Sequence, residues 1–75
     1  PAPRTQTETW LAELWGSVLD IDRVGMDDNF FLLGGDSLHS MAVMAALAEA
    51  GSPVTAEEFF PNQTVRKLAS LMTWE

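Results

Sequence analysis

The stretch between Ser37 and Glu49 contains no fixed charge, and this feature restricts the fold more than any other. At about 100° per residue, its side chains form two apolar faces on opposite sides of one helix. The first face, predicted to be core, consists of Ser40, Val43, Met44 and Leu47. The second face consists of Leu38, Met41, Ala42 and Ala45.

A helix that is apolar all round is normally buried at the centre of a large core. This chain has only 75 residues, too few to surround such a helix with other elements. Two alternatives follow for the second face. Its small alanines pack closely against neighbouring helices, or it stays exposed and meets a partner surface, for which methionine is well suited.

The remaining periodicity predicts further helices and no strand. Thr5 with Glu8 and Thr55 with Glu58 have the spacing of capping boxes, and Thr64 begins a last helix. The first helix has a predicted core face of Trp10, Leu11, Leu14, Trp15, Val18 and Leu19, with Ala12, Glu13, Gly16 and Ser17 opposite. The last helix has an apolar face of Val65, Leu68, Ala69 and Met72.

No period holds from Asp20 to Asp36, so this segment is predicted to be a long loop, pinned by Phe30 and Phe31. The expected fold is all-α: a small four-helix bundle with three main helices, a short third helix that Pro61 ends, and a long loop between helices 1 and 2. Phe59, Phe60 and the tryptophans are expected to be packing residues rather than part of a cofactor site.

Composition excludes several classes of function. The net charge of −7 repels nucleic acid, and no apolar run approaches the roughly 20 residues of a membrane span. The chain has no cysteine for a disulfide or a thiolate metal site, which fits a cytoplasmic location. Asp20, Asp22, Asp27 and Asp28 lack the glycine and glutamate of a calcium-binding loop, so no metal is expected and they are interpreted as a solvated loop.

The start of the chain, Pro1-Ala2-Pro3, has the composition of an extended linker. We therefore expect residues 1–4 to be a linker remnant and residues 5–75 to form the domain. This pattern suggests a module cut from a longer chain.

Ser37 follows two glycines and stands at the start of the predicted second helix. Gly34 and Gly35 have no Cβ, so the pair can adopt positive φ and allow another active site to approach the backbone. Asp36 is placed to cap the helix, which leaves the Ser37 hydroxyl free, and a helix N-terminus favours a phosphate group. His39 lies on a different side of the helix and is expected to have a surface or packing role.

These residues carry a resemblance to a known family. The segment from Asp28 to Leu38 resembles the attachment loop of phosphopantetheine-binding carrier proteins, with the pattern D-x-F-F-x-x-G-G-D-S-L intact. The likeness extends through residues 15–19 and 64–69. The paired phenylalanines and glycines are more similar to peptidyl carrier (thiolation) domains of nonribosomal peptide synthetases than to the very acidic carriers of fatty-acid synthesis.

The resemblance implies a non-catalytic carrier. Ser37 would receive 4′-phosphopantetheine from coenzyme A, and the thiol of this arm would carry aminoacyl or peptidyl groups as thioesters. The implied partners are a phosphopantetheinyl transferase and the adenylation, condensation and thioesterase domains or tailoring enzymes of a synthetase, with the isolated domain a monomer. The residues implied for the attachment site are Gly34, Gly35, Asp36 and Ser37, and those for partner binding are Phe31, Leu38, Met41, Ala42 and Ala45.

Two positions depart from the family pattern. Peptidyl carriers often have a basic residue one turn past the serine, where this chain has residues 41–44 without charge. The family also tends to have proline before the Thr-Val of the last helix, whereas this chain has Gln63 there and a proline at Pro61.

Three other functions remain as alternatives. A polyketide-type or free-standing acyl carrier has the same chemistry. An unmodified acidic helical docking module would need only the second apolar face. Residues 35–38 also spell the GDSL motif of a lipase and esterase family, but the only histidine is two residues from the serine and no strands are predicted to carry a hydrolase site.

Overall fold

Four helices and a long first loop make up the molecule in the computed structural model, which describes residues 5–72. The helices are α1 (Gln6–Leu19), α2 (Ser37–Glu49), α3 (Ala56–Phe59) and α4 (Val65–Ala69). The predicted all-α four-helix fold is confirmed, and there is no strand within the described range. The predicted linker at residues 1–4, and Trp74, lie outside it. None of the helices described is long and apolar enough to cross a membrane.

Helix α1 begins at the predicted capping box. Thr5 Oγ1 accepts from the backbone N–H of Glu8 at 3.0 Å, and Glu8 Oε1 accepts from the N–H of Thr5 at 3.3 Å. Leu11 and Trp15 are buried as expected. The prediction for Ala12 is wrong, because it is also buried. Its small side chain lets the helix lie close to its neighbours, and larger residues such as Trp10 and Leu14 flank the core.

Helix α2 ends at Glu49, and Gly51 follows it as the predicted C-terminal stop. Gly51 has φ +90°, its N–H donates to the Ala48 carbonyl at 3.1 Å, and the Ser52 N–H donates to the Leu47 carbonyl at 2.9 Å. These two bonds form a Schellman motif, which satisfies carbonyls that the helix end would leave unpaired. The predicted core face is confirmed, since Ser40, Val43 and Leu47 are buried and Met44 is half-buried.

Helices α3 and α4 are both short. The Thr55–Glu58 capping box starts α3 as predicted, and α3 ends at Phe59, two residues before Pro61. Helix α4, predicted as a main helix, has only five residues. After Ala69 the backbone tightens into turns in which Leu71 and Met72 donate to carbonyls three residues back.

The core is built around three aromatic rings from three different elements. The Phe30 ring lies edge-on to Trp15, at 4.8 Å between centroids, and edge-on to Phe59 at 5.3 Å. All three side chains are fully buried. The Trp15 indole N–H has no hydrogen-bond partner among residues 5–72, so apolar packing alone holds it. The Phe30 ring, which packs against α1 and α3, therefore anchors the long loop that joins α1 to α2, as predicted.

Candidate functional site

Ser37 is the first residue of α2, and its neighbour Asp36 caps the helix as predicted. Asp36 Oδ1 accepts from the backbone N–H of His39 at 2.9 Å. This bond is the main reason that the pKa of Asp36 lies below its ordinary value. The Ser37 side chain is exposed, and its hydroxyl makes no hydrogen bond within the described part of the chain. The Ser37 carbonyl accepts from the Ser40 hydroxyl at 2.8 Å, which fixes the first turn.

The two glycines before Asp36 have different roles. Gly34 has φ +110°, as predicted, and a Cβ added there would meet nothing within 4 Å. Gly35 does not share the positive φ, so that part of the prediction is wrong. A Cβ at Gly35 would overlap the Phe30 ring and lie 2.8 Å from the Phe30 carbonyl oxygen. Gly35 therefore lets the loop close over the buried Phe30 ring, and Gly34 provides the turn.

His39 points toward Asp36. Its Nδ1 lies 3.0 Å from Asp36 Oδ1, an oxygen that already accepts the His39 backbone N–H. The approach of Nδ1 lacks hydrogen-bond geometry, so the contact is electrostatic in character when the ring is protonated. The position agrees with the predicted surface or packing role.

The second face of α2 is exposed. Leu38 is 75% exposed, Met41 is 60% exposed, and Ala42 and Ala45 are exposed as well. Of the two alternatives for this face, close packing by neighbouring helices is wrong. Phe31, the fifth residue predicted for partner binding, is half-buried and packs against the core.

Two further apolar side chains are exposed, of which Leu32 was not predicted, whereas Phe60 agrees with the packing role expected for it. Leu32 is 88% exposed, and Phe60 is 47% exposed and stacks on Phe31 with 5.7 Å between ring centroids. The Phe31–Phe60 stack joins the long loop to α3. The aperiodic loop gave no sequence signal for Leu32, whereas the position of Phe60 directly before Pro61 is a signal for a helix end at the surface.

The loop that leads to Ser37 is tied to the segment between α3 and α4. The Phe30 N–H donates to the Gln63 carbonyl at 2.8 Å, and Asn29 Nδ2 donates to Gln63 Oε1 at 3.0 Å. Sequence patterns did not reveal these contacts, because they join residues more than 30 positions apart.

The four aspartates predicted as a solvated loop are all exposed, but two of them have structural partners. Both carboxylate oxygens of Asp27 accept from Arg66, at 2.8 and 3.0 Å. This pairing lowers the pKa of Asp27. Asp28 Oδ2 accepts from the Gly25 N–H at 2.8 Å. No group of acidic or histidine side chains within residues 5–72 is arranged to hold a metal ion.

An exposed serine at a helix start, beside an open glycine turn and an apolar face, invites comparison with known proteins. A family model described as "Phosphopantetheine attachment site" matches residues 9–72. A plipastatin synthase of Bacillus subtilis is 41% identical over 69 residues, and a linear gramicidin synthase of Brevibacillus parabrevis is 43% identical over 72 residues. These matches cover 92% and 96% of this chain but only 3% and 1% of the relatives.

Comparison with solved structures leads to the same family. A nonribosomal peptidyl carrier domain superposes with a TM-score of 0.84 at 34% identity, covering 95% of this chain and 92% of that one. A peptidyl carrier protein in complex with the phosphopantetheine transferase Sfp and coenzyme A superposes with a TM-score of 0.87 at 37% identity, covering 92% and 91%. The chain therefore belongs to the phosphopantetheine-binding family and, within it, to the peptidyl carrier domains of nonribosomal peptide synthetases.

Proposed function

We propose that Ser37 is the residue that receives 4′-phosphopantetheine, and that Gly34, Gly35 and Asp36 shape its surroundings. The exposed Ser37 hydroxyl, which no neighbour within residues 5–72 engages, carries this proposal. The open space beside Gly34 leaves room for an incoming group, and the start of α2 favours a phosphate. The residues present therefore fit the group.

In the attachment step, the Ser37 oxygen forms a bond to the phosphorus next to pantetheine in coenzyme A. The bond from that phosphorus to the bridging pyrophosphate oxygen breaks, and the adenosine bisphosphate leaves. No group of acidic or histidine side chains within the described part of the chain is arranged to hold a metal ion, and we propose that the transferase supplies both the metal and the base that takes the proton of the Ser37 hydroxyl. When attached, the arm supplies a thiol that holds the aminoacyl or peptidyl cargo as a thioester.

The chain's own contribution after modification is positional, and we propose that it is not itself an enzyme. A tether of this kind keeps the cargo at about millimolar effective concentration near its next site. The exposed face formed by Leu38, Met41, Ala42 and Ala45 would dock on adenylation, condensation and thioesterase domains or tailoring enzymes in turn. Weak apolar contact suits this task, because tight binding would slow the transfer from one partner to the next.

The domain limits and the location belong to the same proposal. The capping box at Thr5 supports a domain that begins there. A chain without cysteine fits the reducing cytoplasm.

Intact-mass measurement tests the role of Ser37. After incubation with coenzyme A, Mg²⁺ and a broad-specificity transferase, the domain should gain the mass of one phosphopantetheine group. Ser37→Ala should gain nothing while keeping its fold. No gain in the wild type, or a gain that survives Ser37→Ala, would refute the proposal.

A second experiment separates a peptidyl carrier from a polyketide-type carrier. The modified domain should be loaded with an amino acid by an adenylation enzyme, rather than with an acyl group by an acyltransferase.

A further inference from the structure

The side chains of Asn29 and Gln63 form a pair of amides in which every polar group has a partner. Asn29 Oδ1 accepts from the N–H groups of Phe31 at 2.9 Å and Leu32 at 3.2 Å. Asn29 Nδ2 donates to Gln63 Oε1 at 3.0 Å, and Gln63 Nε2 donates to the Phe60 carbonyl at 2.7 Å. Both residues are half-buried. The hydrogen bonds therefore specify one orientation for each amide.

This pair connects the loop that leads to Ser37 with the segment between α3 and α4. On the loop side, Asn29 starts the turn that presents Leu32, and its neighbour Phe30 supports Gly35 through the bond from the Gly35 N–H to the Phe30 carbonyl at 3.1 Å. On the other side, Gln63 holds Phe60, whose ring stacks on Phe31. A short path of direct contacts thus runs from Gln63 through Asn29 and Phe30 to Gly35, two residues before the serine.

We propose that the Asn29–Gln63 amide pair is a positioning element that holds the loop of residues 30–36 in the conformation that the transferase accepts. The inference rests on the function proposed for Ser37. Neither amide touches the Ser37 hydroxyl, so both residues act through the loop. Without the pair, the loop would populate other conformations, and the transferase would find the competent one less often.

Asn29→Asp isolates the contact between the two amides. The substitution keeps the acceptor for the Phe31 and Leu32 N–H groups and replaces only the donor to Gln63 with a second acceptor. Rotating the Gln63 amide to donate to the new carboxylate would set its oxygen against the Phe60 carbonyl. One repulsive pair of acceptors therefore remains in either orientation. Gln63→Met removes the same contact without adding charge, and it also removes the bond from Gln63 Nε2 to the Phe60 carbonyl.

The experiment measures steady-state phosphopantetheinylation of each folded variant as a function of carrier concentration. We expect Asn29→Asp and Gln63→Met each to raise KM by about fivefold, the factor that corresponds to one net hydrogen bond, with kcat nearly unchanged. The double variant should match the worse single variant, because the Asn29–Gln63 contact is lost in both. A purely stabilising role would leave KM unchanged in any variant that stays folded.

Asn62→Asp is the matched control. Asn62 Nδ2 donates to the Glu58 carbonyl at 2.8 Å, at the end of α3 and without a bond to the loop. The substitution introduces the same charge beside Gln63 and should keep the wild-type KM. A wild-type KM in Gln63→Met, or an equal rise in Asn62→Asp, would overturn the inference. If Asn29→Asp does not fold, the KM of Gln63→Met alone tests the inference. Wild-type protein that is not modified at Ser37 would instead refute the proposed function.

Discussion

Gly34 and Gly35 are adjacent in the chain, yet each needs to be glycine for a different physical reason. Gly34 has a positive φ, which glycine adopts without strain because it has no Cβ, and no neighbouring atom restricts the space beside it. Gly35 is needed because the Phe30 ring and carbonyl occupy the space that its Cβ would take. The Gly-Gly pattern predicted a turn before Ser37, but the requirement for the second glycine depends on a ring held in the core.

Gly35→Ala tests this packing. We expect it to lower the free energy of unfolding by about 1–3 kcal/mol, the usual cost of forcing extra atoms into a packed site. Urea unfolding followed by tryptophan fluorescence provides the measurement. Ser37→Ala is the control two residues away, and its exposed side chain should change the stability by less than about 0.5 kcal/mol. Equal stability of the two variants would show that the loop can move away from Phe30.

Helix α2 carries two apolar faces, and only one of them belongs to the core. Val43 and Leu47 are fully buried, whereas Leu38 and Met41 project into solvent. The periodicity of the sequence separates these faces, and the face predicted to be core is the buried one. Whether the second face is covered depends on where the other helices pack.

The same substitution on opposite faces of α2 should therefore change the free energy of unfolding by very different amounts. Leu47→Ala removes a fully buried side chain and should lower the free energy of unfolding by about 2–5 kcal/mol. Leu38→Ala should cost less than about 0.5 kcal/mol. Denaturant unfolding of both variants measures this difference.

If the exposed face docks partner enzymes, Leu38→Ala should still slow aminoacyl loading by the cognate adenylation domain. Truncation of one of the few residues that dominate an interface weakens it by more than about 1 kcal/mol, or about fivefold in loading efficiency, and the exposure of Leu38 beside Ser37 makes it the residue to test. Single-turnover loading assays on the modified carrier provide the measurement, with a substitution of the exposed Glu57 as a control outside this face. Unchanged loading by Leu38→Ala would remove this face from the docking surface for that partner.

Over the whole molecule, the long loop is fastened to the C-terminal half of the chain. The Arg66 N–H donates to the Met26 carbonyl at 3.0 Å, and the Arg66 side chain pairs with Asp27 across 39 residues of sequence. With the bonds from Asn29 and Phe30 to Gln63, these contacts close the loop against the start of α4. The site at the end of the loop is thus held by residues from both halves of the chain.

Low pH should weaken the contacts that hold the long loop and the start of α2 in place. The pKa values of Asp27 and Asp36 lie below their ordinary values, because Arg66 and the His39 N–H favour the ionised carboxylates. Their stabilisation is therefore present above the unfolded-state pKa of about 4 and is lost as pH falls through the lower folded-state values. The free energy of unfolding, measured by urea unfolding between pH 6 and 2, should fall in the acid range.

Asp27→Asn should reduce the loss of unfolding free energy at low pH, because it removes one of the two carboxyl groups whose pKa is lowered in the folded state. Asp22→Asn is the matched control, since Asp22 is exposed and makes no ion pair among residues 5–72. It should retain the wild-type slope. An unchanged slope in Asp27→Asn would mean that the Asp27–Arg66 pair contributes nothing to the pH dependence.

The helix caps and the position of Ser37 at the start of α2 were predictable from the chain alone. The capping boxes at Thr5 and Thr55, the cap at Asp36 and the stop at Gly51 depend on residues within a few positions of one another, so local patterns contain them. The pattern around Ser37 was enough to indicate the family, which comparison then confirmed.

Contacts between distant residues could not be predicted in this way. The burial of Ala12, the requirement for glycine at Gly35 and the Asn29–Gln63 pair all depend on which elements meet in space. No sequence period encodes a contact across 34 residues, and an asparagine or glutamine in a loop has the same local preferences whether or not it is paired. Folding brought these residues together because Phe30, Trp15 and Phe59 share one core.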